Sequence, residues 1–179
     1  MNRRTKIVVL GATLLLTAGL TGAAASAPAS PPKPREGAAL TGTAKLHRSA
    51  GDDITFSFDA HLAAGDKADP MRATGTFEWS HYLRGDGAWA KAKVDCLVTG
   101  GKVAVVSGIV TDSDLPGAKG TRVGVTVHDL GHRDRLGYSW ATTEDLGPKD
   151  LPKCVSSAPF EKVEKGTGDF TVVPWQPDF

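Results

Sequence analysis

Hydrophobic and polar residues alternate with period two along most of the chain from about Ala39 onward. Ile54, Phe56, Phe58 and Ala60 alternate with Thr55, Ser57, Asp59 and His61, which turns one side of an extended segment toward a core and the other toward water. The pattern returns in Phe77–His81, Ala88–Val98, Val103–Val110, Val123–Val127 and Leu136–Trp140. With Thr41–Leu46 before these runs and Phe170–Val173 after them, it predicts about eight strands, enough for a small barrel or sandwich. Turn-forming clusters separate the runs: Gly51–Asp53, Gly85–Gly87, Thr99–Gly101, Asp114–Gly117 and Gly131–Asp134. The connections around Gly85 and Gly100 have hairpin length, so their flanking strands are expected to be antiparallel. Thr143–Lys153, which contains Pro148 and Pro152, reads as a long surface connection with room for one helical turn. The expected fold is all-β, an antiparallel barrel or sandwich in a single domain.

The N-terminus follows a different logic. Arg3, Arg4 and Lys6 precede the apolar run Ile7–Leu20, and small residues follow as far as Ala27. This is the order of a secretory signal peptide, and the run is short of the ~20 residues that a bilayer span needs. Cleavage is expected after Ala25 or Ala27. Pro28, Pro31, Pro32 and Pro34 then make residues 28–38 an extended leader, since proline lacks the N–H that a sheet or helix requires. The expected organisation is therefore signal peptide 1–27, Pro-rich leader 28–38 and β-domain 39–179, in a secreted, extracellular protein with no membrane span after processing.

Composition narrows the class further. Hydrophobic residues make up 40% of the chain, with 21 Gly and 11 Pro, which is too apolar for a disordered chain and too rich in helix breakers for a bundle. Without Arg3, Arg4 and Lys6, the 21 basic residues fall to 18 against 20 acidic ones. A net charge of about −2 argues against nucleic acid or an anionic membrane surface as partner, because both call for a clustered positive field. Cys96 and Cys154 are the only cysteines. In an oxidising compartment they are expected to pair, which would staple the long connection to the fourth predicted strand and contribute about 4 kcal/mol.

Candidate chemistry is sparse. Gly-x-Ser-x-Gly and His-Glu-x-x-His are both absent, so no catalytic residue, cofactor or metal is assigned. Six residues stand as candidates for ligand binding. His81 shares the apolar side of its strand with Phe77, Trp79 and Leu83, where a histidine is either hydrogen-bonded in the core or lines a cavity. Trp89 is expected on the outer face beside Lys91, Lys93 and Asp95, where its ring could stack on a sugar or a peptide aromatic. His128, Asp129, His132 and Asp134 form the densest polar cluster. Gly131 inside it and the valine-alternating strand before it do not support a helical pair of zinc ligands; a loop could still gather His128, Asp129 and His132 around a metal, or Asp129 and Asp134 around calcium, but the commoner role of such aspartates is to accept backbone N–H bonds in a tight connection. Asp59, Glu78 and Asp95 all lie in predicted strands and are expected on the solvated face.

The runs SAGDDITFSFDAH (Ser49–His61), VDCLVTGGKVAVV (Val94–Val106) and VGVTVHD (Val123–Asp129) resemble a family of secreted actinobacterial proteins labelled "repetin", over about Leu40 to Phe170. More loosely, the spacing Val127-x-Asp129-x-Gly131-x-x-Asp134 is similar to a hallmark of exported bacterial β-domains. The resemblance implies secretion and an all-β fold, and it supplies no catalytic residues. The function expected from all of this is non-enzymatic recognition of a ligand or cell-surface component. The alternatives are a secreted enzyme with its polar site near His81 or at His128–Asp134, and a structural, envelope-associated module.

Overall fold

The computed structural model describes residues 35–140 and 151–177. The predicted signal peptide and residues 28–34 of the predicted leader lie outside these residues, as does most of Thr143–Lys153; the last three leader residues, Glu36–Ala38, begin the first strand. The strands are β1 (Glu36–Lys45), β2 (Asp53–Ala63), β3 (Thr74–Leu83), β4 (Asp86–Gly100), β5 (Val103–Ser113), β6 (Arg122–His128), β7 (Arg135–Tyr138), β8 (Glu161–Lys162) and β9 (Asp169–Val173). β1 to β8 pair in chain order, and β9 returns to the free edge of β1; every pairing is antiparallel. The result is one curled sheet, a half-barrel, and not the two-sheet sandwich. Two 3-10 turns, Ala64–Asp66 and Pro70–Arg72, are the only helical segments among the described residues.

Alternation places the core on the concave face. Ile54, Phe56, Phe58, Ala60 and Leu62 of β2 are buried, as are Phe77 and Trp79 of β3 and Val123, Val125 and Val127 of β6. Their rings form a continuous ladder, with centroid separations of 6.1 Å for Phe56–Phe58, 6.0 Å for Phe58–Phe77 and 5.3 Å for Phe58–Phe170. That last contact ties the final strand to the centre of the core.

The strand ends depart from simple alternation. Leu83 faces Asp86 across the β3–β4 turn, so the central residues are Arg84 and Gly85, not Gly85–Gly87. Both have positive φ, 54° and 92°, the backbone of a two-residue turn whose twist matches that of its strands. In β4 the register shifts between Val94 and Cys96, and Asp95 becomes the extra residue of a bulge. Beyond it Leu97 points inward and is fully buried, whereas Val98 is exposed. Strict alternation through Ala88–Val98 would place these two the other way round.

The bulge also turns Cys96 to the convex face, opposite Ser107. There it is bonded to Cys154, with 5.4 Å between the Cα atoms. From Cys154 the chain runs as a strap over the outside of the sheet. Cys154 N donates to Ser107 Oγ (2.9 Å), Ser156 Oγ to Gly124 O (2.9 Å) and Ser157 Oγ to Tyr138 O (3.0 Å). Gly124 and Gly137 let the strap lie flat, since a Cβ at either would overlap the carbonyl oxygen of Val155 or Ala158. Asp95, expected on a solvated face, instead lies beneath this cover. It accepts from Arg122 Nε (2.8 Å) and Ser107 Oγ (2.7 Å), and burial of a carboxylate is tolerable with such partners.

The curl is closed by a seam. Leu46 bridges Val163, His47 N donates to Lys162 O, and Glu164 N donates to Lys45 O. Along β9, whose inner edge pairs β1, the outward amides of Phe170 and Val172 donate to carboxylates instead of to a strand: Asp134 Oδ2 at 2.8 Å and Asp129 Oδ2 at 3.2 Å.

Candidate functional site

In an antiparallel meander the starts of even-numbered strands and the ends of odd-numbered ones meet at the same end. Here that end holds an open, aromatic cup of about 420 Å³. Phe56 near the start of β2 and Trp79 near the end of β3 form its floor with Tyr138, which ends β7, and Trp140 just beyond. Trp140 lies 4.9 Å from both Trp79 and Tyr138, tilted by 34° and 40°, and Phe56 lies 6.0 Å from Tyr138. Ile54, Ala88, Ala90 and Leu115 make an apolar wall, which His81, Trp89 and Ser113 complete. The opposite end carries the short 3-10 turns and Trp175, whose N–H donates to Thr99 Oγ1 (2.7 Å) and whose indole donates to Lys67 O (3.2 Å).

A charged network backs the cup. Asp52, in the turn between β1 and β2, accepts from His81 Nε2 at 2.9 Å. Arg48 in the same turn lies 3.8 Å from Asp52, pairs with Glu161 at 2.8 Å, and donates from Nη2 to the Tyr138 hydroxyl oxygen at 2.9 Å. Burial works against the charge on Arg48, but Tyr138 and Glu161 outweigh it and raise the pKa of the guanidinium. The charge is thus held in place behind the ring of Tyr138.

The six candidate residues fall into two groups at opposite ends of the half-barrel. His81 and Trp89 are both on the cup. His81 shares its face with Phe77 and Trp79 but is over half exposed at its side chain, 57%, so it stands on the rim. Trp89 is 36% exposed; its N–H donates to Asp114 Oδ1 (2.7 Å) and its carbonyl accepts from Ser113 Oγ (2.6 Å), which fixes the start of β4 against the end of β5.

His128, Asp129, His132 and Asp134 lie at the other end, where β6 turns into β7. Asp134 is fully buried and accepts from Leu130 N (2.7 Å) as well as from β9; Asp129 accepts from Gly131 N (3.3 Å) and Lys102 Nζ (3.0 Å). The two carboxylates therefore shape the connection and close the seam. Among the described residues no group of three or more His, Cys, Asp or Glu is placed to hold a metal. Of the strand carboxylates, Glu78 pairs with Lys91 (2.6 Å) and Asp59 with His61 (2.8 Å) on the outer surface.

The seam has its own pH dependence. Burial pushes the Asp134 carboxyl above its usual range, the two backbone donors oppose this, and neighbouring Asp169 adds to the rise. For Asp129, burial is outweighed by Lys102 and the amides of Val172 and Gly131, and its pKa is lowered. A carboxyl raised in the folded state contributes stability that is complete below its unfolded pKa and is lost as pH rises through the folded value. Asp169→Asn removes the like charge, so it is expected to stabilise by about 1 kcal/mol near neutral pH. The gain should vanish below about pH 4, and urea midpoints measured across pH 3–8 check it.

Sequence reasoning missed Arg48, Asp52, Tyr138, Trp140 and Glu161. Tyr138 and Trp140 carried a signal, since they continue the inward parity of Leu136; Arg48 and Asp52 sit in a turn, where no periodicity points to a site. Comparison with family models, curated proteins and solved structures finds no match to this chain.

Proposed function

We propose that this chain is an exported binding domain that takes a small ligand into the aromatic cup. The observation that carries this reading is the cup itself: a mostly apolar concavity at a barrel mouth, within the volume range of small-molecule sites, with few polar groups on its wall. The Cys96–Cys154 bond belongs to an oxidising compartment, and no helix among the described residues is long and apolar enough to cross a membrane. The disulfide and the N-terminal charge and hydropathy pattern together support export.

An environment-sensitive dye, 8-anilinonaphthalene-1-sulfonate, tests the cup. It is expected to bind the native protein at one site, and Trp140→Ala is expected to weaken that binding at least tenfold while the folded baseline persists. Equal binding to both proteins, or none to either, would refute the reading.

A second reading, an enzyme, is favoured by one observation: His81 and Asp52 form the base-and-orienter pair that acid–base catalysis uses. The serine among the described lining residues, Ser113, gives its hydroxyl proton to Trp89 O and accepts from Leu115 N. Among the described residues the pair therefore has no serine hydroxyl free to activate, and binding is the reading we carry forward.

A further inference from the structure

We propose that the ligand of the cup is a planar aromatic ring bearing a hydrogen-bond acceptor such as a carboxylate or carbonyl. This inference rests on the binding reading above. The floor is lined by four aromatic side chains, Phe56, Trp79, Tyr138 and Trp140, against which another ring packs with most contact and least ordering. Beneath the floor Phe58, Phe77 and Phe170 are packed and buried, so an extended acyl chain has nowhere to continue.

The polar groups select further. Ser113 is committed to its own backbone neighbours, so the polar side chains that remain among the described lining residues are His81, Tyr138 and the indole N–H donors of Trp79, Trp89 and Trp140. A saccharide would bring several hydroxyls to a mostly apolar lining, and each one left unpaired in the cup loses affinity. The Tyr138 oxygen already accepts from Arg48; its own proton is therefore the one to be given away. A phenol with a guanidinium on its oxygen is a strengthened donor, and it seeks an acceptor on the ring that enters.

Calorimetric titration of the oxidised protein with four compounds separates the possibilities: 2-naphthoate, indole as a ring without that acceptor, methyl β-glucoside and decanoate. Naphthoate is expected to bind at one site. Tyr138→Phe is expected to weaken naphthoate about tenfold, one hydrogen bond to a charged group, and to leave indole within twofold, which shows that the floor is intact. Trp140→Ala is expected to weaken both ring compounds.

Glucoside or decanoate binding more tightly than naphthoate, and lost in Trp140→Ala, would overturn the ligand class and leave the cup standing. Naphthoate affinity unchanged by Tyr138→Phe, or lost together with that of indole, would overturn the role of the acceptor. Ring compounds bound equally well by Trp140→Ala, or none of the four bound at all, would overturn the cup as the site.

Discussion

Replacing Cys96 and Cys154 together by alanine is expected to lower stability by about 4 kcal/mol. The bond spans 58 residues, so without it the unfolded chain recovers the entropy of a long loop, while the strap keeps its serine hydrogen bonds, its fit over Gly124 and Gly137 and the contact of Phe160 with Tyr138. Both cysteines must be replaced, because a single substitution leaves a thiol free to form mixed disulfides. Urea unfolding of the two proteins measures the difference. A loss under 1 kcal/mol would mean that Ser107, Ser156 and Ser157 hold the strap unaided. The structural consequence is local first, since the strap covers β6 and β7, and β7 ends in Tyr138. A loosened strap should therefore disturb the cup before the rest of the sheet.

Phe56→Ala is expected to cost a similar amount, about 3–5 kcal/mol. Phe56 is 1% exposed and stacks on Phe58, Tyr138 and Trp140, so it belongs to the core on one side and to the cup on the other. Truncation removes buried surface and leaves a void that the rigid sheet cannot fill by collapsing. The void opens upward into the cup. The variant should thus lose stability and yet admit a bulkier ring than the parent, two readouts that a purely structural phenylalanine would not move together. A cost below 1 kcal/mol would show that Phe56 is not part of a packed floor.

Much of the architecture was legible because it is a consequence of alternation. Eight of the nine strands coincide with period-two runs, and β8 escaped because two residues carry no period. The β4 bulge was hidden for a related reason. Val94, Cys96 and Val98 read as one continuous face, and only the pairing with β5 reveals that Asp95 is extra and that Leu97 takes the inward place. Gly124 and Gly137 looked like ordinary weak points of strands, whereas their meaning lies in a strap that arrives from residues twenty to thirty positions away.

The site was legible only in part. His81 stood out as a histidine on an apolar face and Trp89 as an aromatic on a polar one, and both prove to border the same cup. Arg48 and Asp52 gave no sign, because a turn between strands has no face to read, and their value comes from reaching Tyr138 and His81 across the fold. The polar cluster at His128–Asp134 drew attention by density alone. Its aspartates accept the amides of Phe170 and Val172, a role that depends on β9 coming home beside the β6–β7 connection.

Two-dimensional amide NMR of the uniformly labelled protein during titration with 2-naphthoate tests the cup most directly, because the chain carries its own internal control. Trp79 and Trp140 lie in the cup and Trp175 at the far end of the half-barrel. The indole N–H signals of Trp79 and Trp140 are expected to shift with a common saturation curve while that of Trp175 stays still. Shifts at Trp175 alone, or equal small shifts at all the indoles, would contradict a ligand site at the barrel mouth.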